Sequence, residues 1–295
     1  MTFDPISGIM RITGGTKLVG VIGDPVEHSR SPQMHNAAFE ELGLDYVYVP
    51  FHVRAGRLRQ AIEGLKALGV VGVNVTIPHK EGALELADEA SEEAKLIGAA
   101  NTLTFKGERV IADNTDGRGF LMALKAAGIE VPEAVLVLGA GGTARAVTVA
   151  LAREGVEKLT IANRTVSRAE ELAGSLKKSF PALKVEVMPL EPSKLKEAVK
   201  ESGLLVNATS VGMKEDDPML IDPEWLHPEL AVYDVIYTPP KTKLVEAAER
   251  KGLRCAGGVD MLVYQGAISF EIWTGRKAPI DKMRSALLKA LGLTG

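Results

Sequence analysis

The residues of this chain that could do chemistry fall in a few short stretches, each beside a turn-forming residue. In AVLVLGAGGTARAVTVAL, Gly139, Gly141 and Ala144 form a G-x-G-x-x-A pattern between an apolar run and a helix-like one. There the first glycine permits a tight turn, the second lets backbone approach a pyrophosphate, and the alanine allows close helix–strand packing. The N–H groups of the first helical turn add positive potential. Glycine turns are common, and it is the strand–turn–helix setting that makes this one a dinucleotide signal. The next strand-like run, KLTIA, ends in Asn163, Arg164 and Thr165, with Arg168 close behind. A site for NAD usually carries Asp or Glu at that end to hold the ribose hydroxyl, and here there is none. Arg164 and Arg168, four apart at a helix start, are expected to reach one anion. Each guanidinium–phosphate bond is worth about 1.5–3 kcal/mol, so the pair would favour NADP over NAD by roughly tenfold or more. A solvated surface pair of arginines is the alternative.

A second group of candidates is polar and small. HSRSP (28–32) precedes a helix; if it is extended, period two places Ser29 and Ser31 on one side and Arg30 on the other. Two converging hydroxyls suit a small carboxylate. The competing reading is that Ser31 caps the following helix, with Pro32 as its first residue. NVTIPHK (74–80) presents Thr76 and Lys80, AANTL (99–103) presents Asn101, and NTDGRGF (114–120) presents Asp116. Singly, each reads as a strand-end turn, a cap or a surface lysine. Their shared position at the ends of strands, where α/β sheets bind ligands, gives them weight together.

The elements that must hold these residues alternate. KLVGVIG (17–23), DYVYVPFHV (45–53) and VVGVNVTI (70–77) read as strands, separated by helical stretches at 31–43 and 55–69. A second series, 134–140, 158–164, 184–189, 203–209 and 231–237, again alternates with helical stretches, and two consecutive helices close the chain. This order predicts an α/β protein with mainly parallel sheets and right-handed crossovers. Its 295 residues suit two domains. The first is a substrate-binding α/β domain over 1–116, rejoined by terminal helices at 259–295. The second is a Rossmann-type, doubly wound NADP-binding domain over 117–258. A short hinge is expected near 116–118 and a cleft between the domains.

Composition narrows the function classes. Hydrophobic residues at 46% and charged residues at 25% describe an ordinary globular chain rather than a disordered one. A net charge of −3 with no basic block disfavours nucleic acid as a partner. No apolar run approaches the ~18 residues of a membrane span, and residues 1–16 read as a loose tail rather than a targeting signal. The single Cys255 excludes an internal disulfide and suits a reducing compartment. A cytoplasmic protein is expected. The five histidines lack metal-binding spacing, so no metal is expected.

Taken together and in order, HSRSP, NVTIPHK, AANTL, NTDGRGF, GAGGTAR, NRT, NATSVGM, DVIYTPPKT and GGVDMLVYQG resemble the shikimate dehydrogenases, from about Lys17 onward. The resemblance implies reversible NADPH-dependent reduction of 3-dehydroshikimate to shikimate, a step of aromatic amino-acid biosynthesis. It implies Ser29 and Ser31 at the substrate carboxylate, with Thr76, Lys80, Asn101, Asp116, Tyr237 and Gln265 as further substrate contacts. Lys80 and Asp116 fall on the family's catalytic pair. Cofactor contacts fall on Gly139, Ala140, Gly141, Gly142, Thr143 and Ala144, and on Asn163, Arg164, Thr165 and Arg168. Further along they fall on Thr209, Ser210, Met213 and Gly258. Arg30 stands where relatives often carry leucine. The implied partners are small molecules, with the protein a monomer or a homodimer.

Hydride addition to a ketone builds negative charge on its oxygen, which an ammonium can stabilise and then protonate. Lys80 suits that task, with Asp116 orienting it and a substrate hydroxyl. Whether Lys80, Asp116 or water takes the proton in the oxidative direction stays open. Two other readings stand beside this one. A quinate/shikimate dehydrogenase using NAD or NADP shares most of the motifs, but Asn163-Arg164-Thr165 argues against it. A non-catalytic NADP-binding sensor on the same scaffold need not retain both Lys80 and Asp116.

Overall fold

The computed structural model describes residues 12–293. It divides into two compact units: Asp116–Leu262 forms one, and the stretches that end at Thr115 and resume at Val263 form the other. The first unit begins with β1 (Lys17–Gly23), α1 (Ser31–Glu41), β2 (Tyr46–His52), α2 (Leu58–Ala67) and β3 (Gly72–Val75). It continues through α3 (Lys80–Glu85), β4 (Glu89–Ala90), α4 (Glu92–Ile97), β5 (Thr102–Lys106) and β6 (Arg109–Asp113). Its strands lie in the order β2-β1-β3-β5-β6-β4. All pair in parallel except β5, which runs against both its neighbours. Reversal puts the start of β5, not its end, at the edge of the sheet where β1, β3 and β6 finish.

Several local differences from the sequence expectation have simple causes. The helix expected over 55–69 starts only at Leu58, because Gly56 has φ +81°, outside the helical region. The β5–β6 hairpin, turning at Gly107, lies outside the strands expected from the apolar runs. Of the tail expected over 1–16, residues 1–11 lie outside the described residues. The remainder is anchored, since the Thr16 hydroxyl donates to Asp45 Oδ1 at 2.8 Å.

The second unit comprises α5 (Asp116–Ala126), β7 (Ala134–Leu138), α6 (Gly142–Arg153), β8 (Lys158–Ala162), α7 (Val166–Ser179) and β9 (Lys184–Met188). It goes on with α8 (Pro192–Lys200), β10 (Leu204–Asn207), β11 (Ala231–Asp234), α9 (Lys243–Arg250) and β12 (Cys255–Ala256). Its strands are all parallel in the order β12-β11-β10-β7-β8-β9. That is the doubly wound arrangement, with the strand order reversing between β7 and β10. Leu136, Val137, Leu159, Ile161, Leu205 and Val206 are all buried, as befits strands covered on both faces.

The chain leaves this unit within a helix. α10 (Val259–Thr274) runs unbroken through the partition after Leu262, and α11 (Ile280–Ala290) follows it. In the first unit α11 lies against α1, with Lys282 paired to Glu41 at 3.2 Å. α10 supplies the aromatic half of the core. The Trp273 indole donates to the Leu103 carbonyl at 3.1 Å, and Gly72 is required because any Cβ there would meet that indole. Phe270 stacks on Phe39 at 5.1 Å between ring centres, and His35 lies flat on Tyr48 at 4.3 Å. Neither ring nitrogen of His35 has a hydrogen-bond partner, and burial pushes its pKa down to about 3. In this core His35 acts as an aromatic ring.

Candidate active site

The end of the first sheet gathers the polar candidates of that unit. Ser29 and Ser31 follow β1, but the segment is not extended, so the condition for placing both serines on one side is not met. Arg30 has φ −98° and ψ 1°, and Ser31 is already the first residue of α1. What joins the two serines is a bond from the Ser31 N–H to Ser29 Oγ at 3.3 Å. The alternative capping role for Ser31 fails as well, since Arg30 is the cap and α1 has no side-chain cap bond. Ser31 is buried, and the Arg30 Nε is buried without a partner.

Thr76 directly follows β3 and would touch a Cβ at Gly23, the last residue of β1, so the ends of these two strands meet closely. From there the chain turns through Ile77 and Pro78 into α3, whose first residue is Lys80. The turn is tied twice: the His79 N–H donates to the Thr76 carbonyl at 3.0 Å, and the His79 ring bonds the Val53 carbonyl at 2.6 Å. His79 is therefore a structural brace. Lys80 is half-buried, and its carbonyl accepts the Ala100 N–H at 2.8 Å. That bond fixes the base of Lys80 to the segment carrying Asn101.

Asn101 sits in a buried polar network that the sequence reading did not foresee. Its Oδ1 accepts from the Thr115 N–H at 2.8 Å and from Thr102 Oγ1 at 3.0 Å. Its Nδ2 donates to Thr115 Oγ1 at 2.9 Å and to Gln265 Oε1, on α10, at 3.3 Å. Asn74 Nδ2 reaches the Asn101 carbonyl at 3.2 Å, Thr102 Oγ1 at 3.2 Å and Ser269 Oγ at 2.9 Å. Tyr48 donates its phenol proton to Asn74 Oδ1 at 2.8 Å. Asn74, Thr102 and Thr115 lie inside the stretches already singled out, where Thr76, Asn101 and Asp116 drew attention instead. The available signal was one amide in the otherwise apolar strand VVGVNV. Ser269, on a helix apolar on most faces, offered the same kind of signal.

Asp116 and Tyr237 belong to the second unit. Asp116 is buried as the first residue of α5, and Tyr237 is half-buried in the stretch after β11.

At the end of the second sheet the arrangement differs in kind. Gly139 has φ +112°, and a Cβ there would lie 2.9 Å from the Ala208 carbonyl oxygen and 3.2 Å from Thr209 Cγ2. So the turn after β7 and the turn after β10 abut, and only glycine allows both conformation and contact. Gly141 precedes the first turn of α6, and a Cβ there would meet nothing within 4 Å. Ala144 is buried. A bare backbone segment facing open space at the start of a 12-residue helix fits a pyrophosphate. Gly142 and Thr143 form the first helical turn beside it, and Ala140 is buried.

After β8, Asn163 holds the turn by donating from Nδ2 to the Thr165 carbonyl at 2.8 Å. Arg164, Thr165 and Arg168 are exposed. Thr165 is the cap of α7, so Arg164 lies outside the helix, and helical i, i+4 spacing does not place the two guanidinium groups together as expected. What they share is the start of α7. After β10, Thr209 Oγ1 donates to Asn207 Oδ1 at 2.7 Å and accepts the Val211 N–H at 3.1 Å. Asn207 Nδ2 reaches Asp234 Oδ1 at 3.1 Å, and Thr242 donates to Asp234 Oδ2 at 2.7 Å. Burial raises the pKa of the Asp234 carboxyl in spite of these donors. Ser210 and Met213 are exposed on the same loop. Gly258 is buried where a Cβ would collide with the Val235 carbonyl. Among the described residues, no cluster of His, Cys, Asp and Glu could hold a metal ion.

Comparison with known proteins agrees along the chain. Residues 21–103 match the family model of the shikimate dehydrogenase substrate binding domain. Residues 123–214 match that of shikimate / quinate 5-dehydrogenase, and 258–288 that of the shikimate 5'-dehydrogenase C-terminal domain. The shikimate dehydrogenase (NADP(+)) of Methanopyrus kandleri is 50% identical over 280 residues, covering 94% of this chain and 96% of that protein. A shikimate 5-dehydrogenase structure from Thermus thermophilus, in complex with NADP(H) and shikimate, superposes with a TM-score of 0.84 at 38% identity. That match covers 94% of this chain and 100% of the other. A quinate dehydrogenase from Corynebacterium glutamicum, in complex with NAD, gives 0.86 at 31% identity over 93% of this chain and 99% of the other.

Proposed function

The chain belongs to the shikimate dehydrogenase family, and we propose that it catalyses the reversible NADPH-dependent reduction of 3-dehydroshikimate to shikimate. The observation that carries this reading is the end of the first sheet. There Thr76, Lys80 and Asn101 are drawn to adjoining strand ends by main-chain bonds, with Gln265 bonded to Asn101. Ser29 and Ser31 at the end of β1 are assigned to the substrate carboxylate. Thr76, Asn101, Gln265, Tyr237 and Asp116 are assigned to its other oxygens.

NADPH is assigned to the end of the second sheet, where the bare Gly139–Ala144 turn fits a pyrophosphate. Arg164 and Arg168, beside the Asn163 and Thr165 turn, face the ribose phosphate, and Thr209, Ser210, Met213 and Gly258 border the rest. When bound, the cofactor supplies the hydride that adds to the ketone carbon. Lys80 stabilises the negative charge growing on the ketone oxygen and protonates it, so that the C=O bond becomes CH–OH. Asp116 holds a substrate hydroxyl so that the reacting carbon is presented in one orientation. In oxidation the same proton leaves by the reverse path, through Lys80, Asp116 or water.

The likeness to a quinate dehydrogenase keeps one second reading alive, a broader enzyme that accepts quinate or NAD. No helix among the described residues is long and apolar enough to cross a membrane, and the accompanying reading is a cytoplasmic enzyme, monomer or homodimer, acting on small molecules. Absorbance of the reduced nicotinamide, followed with shikimate or quinate against NADP⁺ or NAD⁺, separates the readings. Rapid reduction confined to shikimate with NADP⁺ is the expected result. Turnover with quinate or NAD⁺ would favour the broader enzyme. Silence in every pairing, from folded protein that still binds NADP⁺, would overturn the catalytic reading in favour of a sensor.

A further inference from the structure

Building on the assignment of Arg168 to the ribose phosphate, we propose that Arg145 is a positioning residue that sets cofactor preference. It does so by holding the Glu171 carboxylate, which would otherwise pair with Arg168.

Arg145 and Glu171 join the helices that follow the two cofactor turns. Arg145 lies one turn into α6, its N–H bonded to the Gly141 carbonyl at 2.9 Å. Its guanidinium Nη2 donates to Glu171 Oε1, on α7, at 2.5 Å. Glu171 stands three positions after Arg168 on α7, so the two side chains are neighbours on one face of that helix. The other positions at helical-neighbour spacing from Glu171 are Ser167, Gly174 and Ser175, none of them charged. Within α7, the other neighbour of Arg168 at that spacing is Leu172. Arg168 is thus the one cation beside Glu171 on its own helix, and Glu171 the one carboxylate beside Arg168.

Pairs of that spacing close elsewhere in the chain, Lys66 with Glu63 at 3.0 Å and Lys95 with Glu92 at 2.7 Å. On α7 the carboxylate turns to Arg145 instead, and the surroundings of the two arginines say why. Arg168 is exposed, where a helical ion pair gains little, and the base-before-acid order is the weaker one. The Arg145 side chain is only 8% exposed. A buried guanidinium is costly without a carboxylate, and its attraction for one is screened less. Arg145 therefore outcompetes Arg168 for Glu171, and Arg168 keeps its full charge for an incoming phosphate. Without Arg145, Glu171 would pair with Arg168 and also repel the phosphate. NAD⁺, which lacks that phosphate, feels neither effect, so Arg145 governs the preference between cofactors rather than their common affinity.

Calorimetric titration with NADP⁺ and with NAD⁺, which needs no turnover, tests this. Arg145→Met should raise the Kd for NADP⁺ relative to that for NAD⁺ about two- to fivefold, the size of a helical ion pair plus one nearby screened charge. In a Glu171→Gln background the same substitution should move that ratio far less, because the competing carboxylate is gone. Equal factors in both backgrounds would mean that Arg145 acts on the phosphate by itself, and they would overturn the proposal, as would an unchanged ratio in the first. Circular dichroism checks folding. If Arg145→Met does not fold, a cycle between two exposed side chains decides: Arg168→Ala should cost the same factor in the ratio whether residue 171 is Glu or Gln. A larger cost with Gln would show that Glu171 already engages Arg168 and would overturn the proposal. A wild type that binds NAD⁺ as tightly as NADP⁺ would overturn the phosphate assignment and this inference with it. A wild type that prefers NADP⁺, with Arg145 and Glu171 variants that are additive, overturns this inference alone.

Discussion

The ends of the two sheets are built by opposite means. At the end of the first sheet, amides and hydroxyls are buried and bonded to one another, as Asn74, Asn101, Thr102, Thr115 and Ser269 show. At the end of the second, the turns carry glycine backbone and exposed guanidinium, at Gly139, Gly141, Arg164 and Arg168, the groups proposed above for the cofactor. Directional bonds set in a low-dielectric interior discriminate by the position of single atoms. Charges in solvent discriminate by net charge and are screened. A substrate that differs from its competitors in where oxygens sit calls for the first kind of site. A cofactor that differs from its competitor by one phosphate needs only the second.

The strongest test of this contrast is chemical. Lys80→Ala should lower the turnover number by roughly 10²–10⁴-fold, the ordinary worth of acid–base catalysis, while leaving the KM for NADP⁺ nearly untouched. A raised KM for shikimate at unchanged turnover would make Lys80 a binding group and leave the first site without its acid.

Acid should attack the buried core of the first unit. His35 is neutral in the folded state, with a pKa near 3 against 6.5 when exposed. The unfolded chain therefore binds a proton that the folded chain refuses between those values, and stability falls as pH falls through that window. Urea midpoints should show a loss of up to about 1.4 kcal/mol per pH unit from this group. His35→Phe, which sacrifices no hydrogen bond, should flatten the slope; an unaltered slope would mean that other groups carry the acid sensitivity.

Smaller effects belong to the second sheet. Arg164→Ala should weaken NADP⁺ relative to NAD⁺ by roughly tenfold, consistent with one charge-assisted bond, read as the ratio of the two KM values. Equal losses for both cofactors would sink the phosphate assignment. The mildest test leaves the chain unaltered. Raising the salt from 0.1 M to 1 M shortens the screening length from about 10 Å to about 3 Å. The KM for NADP⁺ should then rise severalfold while that for shikimate moves little, and parallel rises in both would erase the contrast between the two sites.

This contrast also explains what could be read from sequence. Turns made by glycine, and strands made of consecutive Val, Leu and Ile, declare themselves locally, so β7, β8 and the 139–144 turn were visible residue by residue. The β5–β6 hairpin was less so, because Thr102–Lys106 alternates polar and apolar residues and lacks the apolar density of the parallel strands. The network around Asn101 was invisible as a network, since its bonds join residues as far apart as Asn74 and Ser269. Spacing within a motif carries no information about a partner nearly two hundred positions away. HSRSP divides at its helix start: α1 begins at Ser31, as the helical stretch at 31–43 predicts and as Pro32 favours, and the extended arrangement on which a shared side for Ser29 and Ser31 depended does not form.

The unbroken passage of α10 between the two units bears on how the protein is made. Residues 116–262 form a contiguous block that can fold as soon as it leaves the ribosome. The other unit is interrupted by that block, and its core lacks Phe270, Trp273 and the α11 face until the last helices are synthesised. Until then α1 and β2 wait with Phe39, Tyr48 and His35 uncovered, an apolar surface held open for the time needed to translate well over a hundred codons. Chaperone dependence during synthesis should therefore track the first unit, although its residues emerge first.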